Sequence, residues 1–140
     1  MIGLKNSLSI RKSEIGLILN QTSQLIRKRI AMIQKLFVYG TLGPGRPNEH
    51  MMNKIGGTWT EARVTGKLHH EGWGAEMGYP GLTLDEAGEQ VEGYLFSSSN
   101  LASHWAELDT FEGDSYEHTL TTVKLQNGNI VKAYIYALKR

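Results

Sequence analysis

Leu36-Phe37-Val38-Tyr39-Gly40-Thr41-Leu42-Gly43-Pro44-Gly45 is an apolar run that passes directly into a glycine-rich turn. The apolar part predicts a short buried strand, Leu36–Tyr39. Such a turn leaves backbone N–H groups free to meet an anionic or carbonyl oxygen. A second segment, Leu108-Asp109-Thr110-Phe111-Glu112-Gly113 followed by Tyr116, places the Glu112 carboxylate at the end of an amphipathic helix. A backbone cradle and one carboxylate suffice for proton-transfer chemistry on a small polar substrate. To act together, the two segments must converge on one concave pocket.

Working outward, the rest of the chain beyond Lys35 is β-rich. Arg46-Pro47 opens a predicted helix through about Ile55, with Pro at its first position. Trp59–Leu68 alternates as a strand does, and Gln90–Phe96 is another strand. Residues 69–81 hold four glycines and the Tyr79-Pro80-Gly81 turn, and so read as a loop. The Ser97–Asn100 cluster predicts the cap of a helix over about 101–110, with Leu101, Trp105 and Leu108 on one face. Tyr116–Leu125 and Ile130–Leu138 flank Asn127-Gly128, the strongest short-range hairpin signal.

The length of 140 residues, 40% hydrophobic and 21% charged, suits a single soluble domain. No apolar run approaches the roughly 20 residues of a membrane-spanning helix. Ile15–Leu19 is also short for a signal-peptide core, so a cytoplasmic protein is expected. With no cysteine, a disulfide, a thiolate metal site and a Cys nucleophile are excluded. Residues 1–35 carry Lys5, Arg11, Lys12, Arg27, Lys28, Arg29 and Lys35 against Glu14 alone; the net charge of the whole is +1, so the body is acidic. An acidic body argues against a nucleic-acid groove there.

Residues 1–34 form a basic extension. Leu25, Ile26, Ile30 and Ile33 recur at roughly helical spacing, which predicts a short helix over 22–33 capped by Asn20 or Thr22. Three readings stand side by side. Met32 is the natural start and the upstream residues are non-native; or the helix packs on the domain or a partner chain; or the arm is a targeting or membrane-surface segment.

The other motifs carry less chemistry. The Tyr39–Gly45 turn has neither the Lys-Ser/Thr of a P-loop nor the dinucleotide glycine pattern, and on spacing alone a structural tight turn fits it better. Glu112 alone could be a solvated helix-end carboxylate, but Phe111 beside it allows burial, which would lift its pKa towards that of a general base. Asp109 and Asp114 read as caps or surface residues. His69-His70-Glu71 places adjacent imidazoles on opposite faces of a strand and chelates poorly, so no metal is expected. Ser97-Ser98-Ser99 lacks the nucleophile elbow. Trp59, Trp73 and Trp105 read as core or pocket wall.

In order along the chain come Phe37-Val38-Tyr39-Gly40-Thr41-Leu42, Pro44-Gly45, Gly78-Tyr79-Pro80-Gly81-Leu82, Val91-Glu92-Gly93, Leu108-Asp109 with Glu112-Gly113, and Tyr116. This ordered set resembles the gamma-glutamylcyclotransferase-like family, which includes gamma-glutamylamine cyclotransferases and small bacterial relatives. The resemblance covers about 34–138. It implies an α+β fold: a small mixed β-barrel of about six strands with flanking short helices and a polar pocket at its mouth. It places the family's catalytic glutamate on Glu112 and its substrate-binding turn on Tyr39, Gly40, Thr41 and Leu42, with Tyr116 nearby. Many relatives carry Tyr-x-Arg after the glutamate, where this chain has Tyr116-Glu117-His118.

The implied reaction needs no metal, cofactor or covalent enzyme intermediate. The α-amine of a γ-glutamyl compound attacks its own γ-carbonyl, giving 5-oxoproline and a free amine or amino acid. Glu112 would serve as general acid/base, the turn would supply backbone N–H groups, and Tyr39 and Tyr116 would supply hydroxyls. The implied partner is a small-molecule γ-glutamyl substrate, with no nucleic acid and no membrane, and the oligomeric state is open. Two other classes stay open: a non-catalytic small-molecule binder of the same fold, and an interaction protein acting through the basic arm.

Overall fold

The computed structural model describes residues 11–31 and 33–140, with the backbone alone for 28–31. The part of the basic extension before Arg11 lies outside the described residues. The chain divides into two compact units, one ending at Met32 and the other spanning Ile33–Arg140. The first contains helix α1 (Lys12–Ala31), which is longer than the 22–33 expected. Asn20 and Thr22 lie inside it and cap nothing; Thr22 Oγ1 donates back to the Ile18 carbonyl at 2.9 Å. The helix starts earlier because Glu14 sits in its first turn, where a carboxylate offsets the helix dipole, and pairs with Arg11 at 3.2 Å. No helix among the described residues is long and apolar enough to cross a membrane.

The second unit comprises β1 (Lys35–Val38), α2 (Glu49–Ile55), β2 (Thr58–His69), a 3₁₀ turn (Ala75–Met77) and β3 (Gly81–Leu84). It continues with β4 (Glu89–Ser97), a 3₁₀ turn (Leu101–His104), α3 (Trp105–Glu112), β5 (Tyr116–Leu125) and β6 (Ile130–Leu138). The strands run in the order β3-β2-β4-β1-β6-β5, and a β2–β5 pairing at Ala62–Leu125 and Arg63–Lys124 closes the sheet. Five strands therefore make the barrel, and β3 takes the remaining edge of β2 through Gly66–His69. The pairing of β1 with β6 is parallel and the others antiparallel, so the barrel is mixed.

Period-two alternation sorts side chains between two cores. Phe37, Val64, Leu95, Val123, Ala133 and Ile135 belong to one cluster. The alternate residues Leu36, Val38, Phe96, Tyr136 and Leu138 belong to the other, where they pack with Met52 and Ile55 of α2 and Leu108 of α3. Leu36, Met52, Leu101 and Leu108 are completely buried. At about 25 cal/mol per Å², each such side chain contributes on the order of 2 kcal/mol, and this burial anchors two helices too short to persist alone.

The structure corrects three expected boundaries. Helix α2 begins at Glu49, not at Arg46-Pro47, because the Asn48 N–H returns to the Thr41 carbonyl at 2.8 Å and keeps 41–48 in turns. The helix expected over 101–110 is a 3₁₀ turn followed by α3. Asn100 does not cap it by its side chain, which instead donates to the Ile55 carbonyl at 3.1 Å and ties the end of α2 to the start of α3. The loop expected over 69–81 contains a 3₁₀ turn, and β3 follows it. The Tyr116–Leu138 hairpin has the expected limits, with the Gly128 N–H bonded to the Leu125 carbonyl at 3.0 Å.

Candidate active site

Five parts of the second unit meet at one cleft, open to solvent. The Tyr39–Leu42 turn leaves the end of β1. Trp73, Gly74, Tyr79 and Pro80 come from the β2–β3 connection. Glu112 is the last residue of α3, Tyr116 the first of β5, and Tyr136 lies on β6. The carboxylate and the turn expected to converge from 70 residues apart do line the same cleft.

Glu112 is the carboxylate among the described residues that line it. Gly113 ends α3 at φ 84°, with its N–H on the Asp109 carbonyl at 3.0 Å. A left-handed conformation suits glycine, and it turns the chain so that Tyr116 returns beside Glu112. The Glu112 carboxyl is half-buried, and loss of water pushes its pKa from 4.5 up to about 7. The Trp73 side chain hydrogen-bonds the carboxyl and opposes this shift, because the indole N–H can only donate and so favours the charged form. Burial wins. Trp73 is in turn braced edge-on against Phe111 at 5.2 Å.

Three phenols surround this carboxyl, and burial raises the pKa of each, with the negative charge of Glu112 adding to the effect. All three are therefore neutral donors at physiological pH. Two of them are committed within the protein. The Tyr39 hydroxyl donates to the Tyr136 carbonyl at 2.7 Å and accepts the Leu82 N–H at 3.1 Å. The Tyr136 hydroxyl donates to Asp109 Oδ1 at 2.7 Å. The Tyr116 hydroxyl has no hydrogen-bond partner among the described residues. It presses instead on Gly72, where a Cβ would collide with the phenol oxygen and where φ is +90°.

The expectation that Tyr39 offers its hydroxyl to a substrate is thus corrected. Tyr39 lines the cleft but spends its proton on holding β6 and β3 to the turn. The N–H groups of Gly40, Thr41 and Leu42 have no protein partner among the described residues, although Gly40 and Thr41 use their carbonyls within the turn. Three unpaired donors beside a half-buried carboxyl can take an oxyanion or a carboxylate. His69 lies on β2, where its Nε2 meets Thr83 Oγ1 across the strands at 2.8 Å.

Sequence reasoning missed Tyr136 as a lining residue of the cleft, and noted His118 only as a departure from the Tyr-x-Arg of many relatives. The Asn127-Gly128 signal alone does not pair the two: a two-residue turn there would set His118 opposite Ala137, whereas the observed three-residue loop, Gln126–Gly128, sets it opposite Tyr136. Asp109, read as a cap or surface residue, receives both His118 Nδ1, at 2.6 Å, and the Tyr136 hydroxyl.

Comparison with known proteins bears on the family and the fold. Among curated protein sequences none matches the chain. Solved structures do match. YkqA from Bacillus subtilis is 27% identical with a TM-score of 0.59 over 77% of this chain, which spans only 36% of YkqA. An AIG2-like protein from Mus musculus is 26% identical with a TM-score of 0.58, covering 75% of this chain and 76% of its own. The uropathogenic E. coli-specific protein c4763 is 25% identical with a TM-score of 0.56, covering 76% and 80%. The family model described as gamma-glutamyl cyclotransferase, AIG2-like, matches residues 36–140, from the first buried residue of β1 to the end of the chain, and the protein belongs to that family.

Proposed function

We propose that this protein is a cyclotransferase that converts a γ-glutamyl compound into 5-oxoproline and a free amine or amino acid. The observation that carries this reading is one carboxyl, Glu112, withdrawn from water so that its pKa is pushed up to about 7, in one cleft with the unpaired N–H groups of Gly40, Thr41 and Leu42. An ordinary glutamate, with a pKa near 4.5, is a poor base for an ammonium group. Desolvation brings Glu112 closer to that task and lets it return the proton afterwards.

The steps balance without any other reactant. Ionised Glu112 takes a proton from the substrate's α-ammonium. The freed amine attacks the γ-carbonyl and a C–N bond forms, closing a five-membered ring. The old C–N bond then breaks as protonated Glu112 gives its proton to the leaving nitrogen; the ionised carboxylate takes the remaining extra proton from the ring nitrogen and passes it to the released amine, which departs as an ammonium. The N–H groups of the turn and the Tyr116 hydroxyl serve as donors to the glutamyl carboxylate or the developing oxyanion. Holding the chain folded supplies much of the rate, because an intramolecular encounter replaces a rare one.

The test is a panel of γ-glutamyl amino acids, γ-glutamyl amines and glutathione, read by release of 5-oxoproline. At least one compound should turn over, and Glu112→Gln should lower kcat by about 10²–10⁴-fold while the fold is kept. Undiminished turnover by a folded Glu112→Gln protein would remove the mechanism. No turnover by the wild type would leave a binding protein with this cleft.

A further inference from the structure

Asp109 precedes Glu112 by three residues on α3, so the two carboxyls lie on neighbouring positions of one helix face. His118 and Tyr136 are directly opposite each other on β5 and β6. Their donors meet a single atom, Asp109 Oδ1: His118 Nδ1 at 2.6 Å and the Tyr136 hydroxyl at 2.7 Å. The imidazole lies flat on Trp105, with ring centroids 4.5 Å apart and planes 19° apart, and Trp105 opens α3. Tyr134 and Tyr136 stand edge-on to the same imidazole at 5.4 and 5.9 Å. The Tyr136 carbonyl, in turn, accepts the Tyr39 hydroxyl at 2.7 Å. The hairpin therefore grips α3 at its first turn through ring stacking and at its last through Asp109, and the same tyrosine reaches the start of the Tyr39–Leu42 turn.

We propose that His118 and Asp109 are positioning residues: with Tyr136 they fix the last turn of α3 so that Glu112 faces the Tyr39–Leu42 turn. A lone surface His–Asp pair would contribute little, since the His118 and Asp109 side chains are 30% and 46% exposed. Here a second donor fills the same oxygen, and an aromatic stack fixes the imidazole plane. An eight-residue helix that ends at a glycine in the left-handed region has no rigidity of its own to spare. The role is angular placement more than stability, and catalysis is sensitive to displacements on the order of 1 Å.

The experiment uses the full chain and needs no ligand for its first arm. The Glu112 carboxyl is followed by ¹³C NMR from pH 4 to 9, its signal assigned by its loss in Glu112→Gln. His118→Leu removes the donor, whereas His118→Asn keeps an N–H near the position of Nδ1. The Glu112 midpoint in His118→Leu should fall by about one pH unit as the carboxyl gains water, and His118→Asn should restore most of it. The second arm depends on the cyclotransferase reading and uses a substrate that the wild type turns over. There kcat should fall about tenfold in His118→Leu with KM little changed. Should His118→Leu fail to fold, Tyr136→Phe, which removes one hydroxyl, is read by the same two measures. A folded variant in which both the Glu112 midpoint and kcat match the wild type would overturn the proposal and leave His118 a purely structural residue. Absence of wild-type turnover would count against the cyclotransferase reading alone, with the titration still deciding the placement of Glu112.

Discussion

Replacing Glu112 by Gln should stabilise the protein, and only above the ordinary pKa of a glutamate. In the folded state burial lifts the Glu112 pKa from 4.5 to about 7. Between those values the folded chain holds a proton that the unfolded chain releases. The folded state binds more protons there, so stability falls as pH rises through the window. Below about pH 4.5 both states are protonated and Glu112 costs nothing. Above about pH 7 the cost is complete. The gap, at about 1.36 kcal/mol per pH unit, sets a ceiling of about 3 kcal/mol. Glu112 is only half-buried, so residual hydration reduces this, and about 1–2 kcal/mol is the expected gain.

Gln suits the test because it has the size of a protonated Glu and its carbonyl still accepts the Trp73 N–H. Urea or thermal unfolding of both proteins from pH 4 to 9 measures the difference. For a protein of this size, about 1 kcal/mol corresponds to roughly 3–5 °C in Tm. The two curves should run parallel below pH 4.5 and diverge towards pH 8, with the Gln protein the more stable. A difference that stays flat from pH 5 to 8 would refute the desolvation argument, and with it the claim that Glu112 titrates near neutrality. This test requires no substrate, so it separates the electrostatics of the site from the identity of the reaction.

Tyr116→Phe should leave stability within about 1 kcal/mol, because the hydroxyl has no protein partner to lose, yet lower kcat/KM by about tenfold as one substrate hydrogen bond disappears. A large loss of Tm without a kinetic effect would assign the hydroxyl to structure. Gly113→Ala should cost about 1 kcal/mol or more in chemical unfolding, since φ 84° strains any residue with a Cβ; an unchanged midpoint would show that α3 ends in another way. A chain beginning at Ile33 should keep a single cooperative thermal transition, because residues 33–140 hold both apolar clusters; aggregation of that chain while the full protein stays folded would place the arm in the core or at an interface.

The parts of this fold that were legible in the sequence are those fixed by neighbouring residues. Asn127-Gly128 between two β-type runs set the hairpin, and the apolar run before Gly40 marked β1. Glu112-Gly113 marked the end of α3, since glycine after the last helical residue is a local stop signal. What failed were starts. Arg46-Pro47 has the chemistry of a helix beginning, but the Asn48 N–H is drawn to Thr41 by the same turn that builds the site. Asn100 has the chemistry of a cap, but its amide is taken by the Ile55 carbonyl 45 residues away. In both places a tertiary partner outbids the local one. The four residues of β3 follow Pro80 and are too few to show a period, so only their pairing with β2 reveals them.

The same contrast between local and distant partners explains the tyrosines. The family resemblance implied that Tyr39 and Tyr116 both face a substrate, since both flank the residues expected to act. Yet the Tyr39 hydroxyl is held by two backbone groups that arrive from β3 and β6, and no reading of its own neighbours contains them. The consequence is chemical. Of the described residues that line the cleft, Glu112 is the sole carboxylate, and none is Lys, Arg or His. The three phenols stay neutral because burial and the charge of Glu112 both resist their ionisation. A cationic amine entering the cleft therefore meets one anionic partner, and any carboxylate or oxyanion must be satisfied by neutral donors: the turn's N–H groups and Tyr116. In the proposed reaction proton transfer therefore falls to Glu112, whose pKa burial lifts to about 7. Committing Tyr39 and Tyr136 to the scaffold is what leaves the site with one base, one free hydroxyl and one backbone cradle.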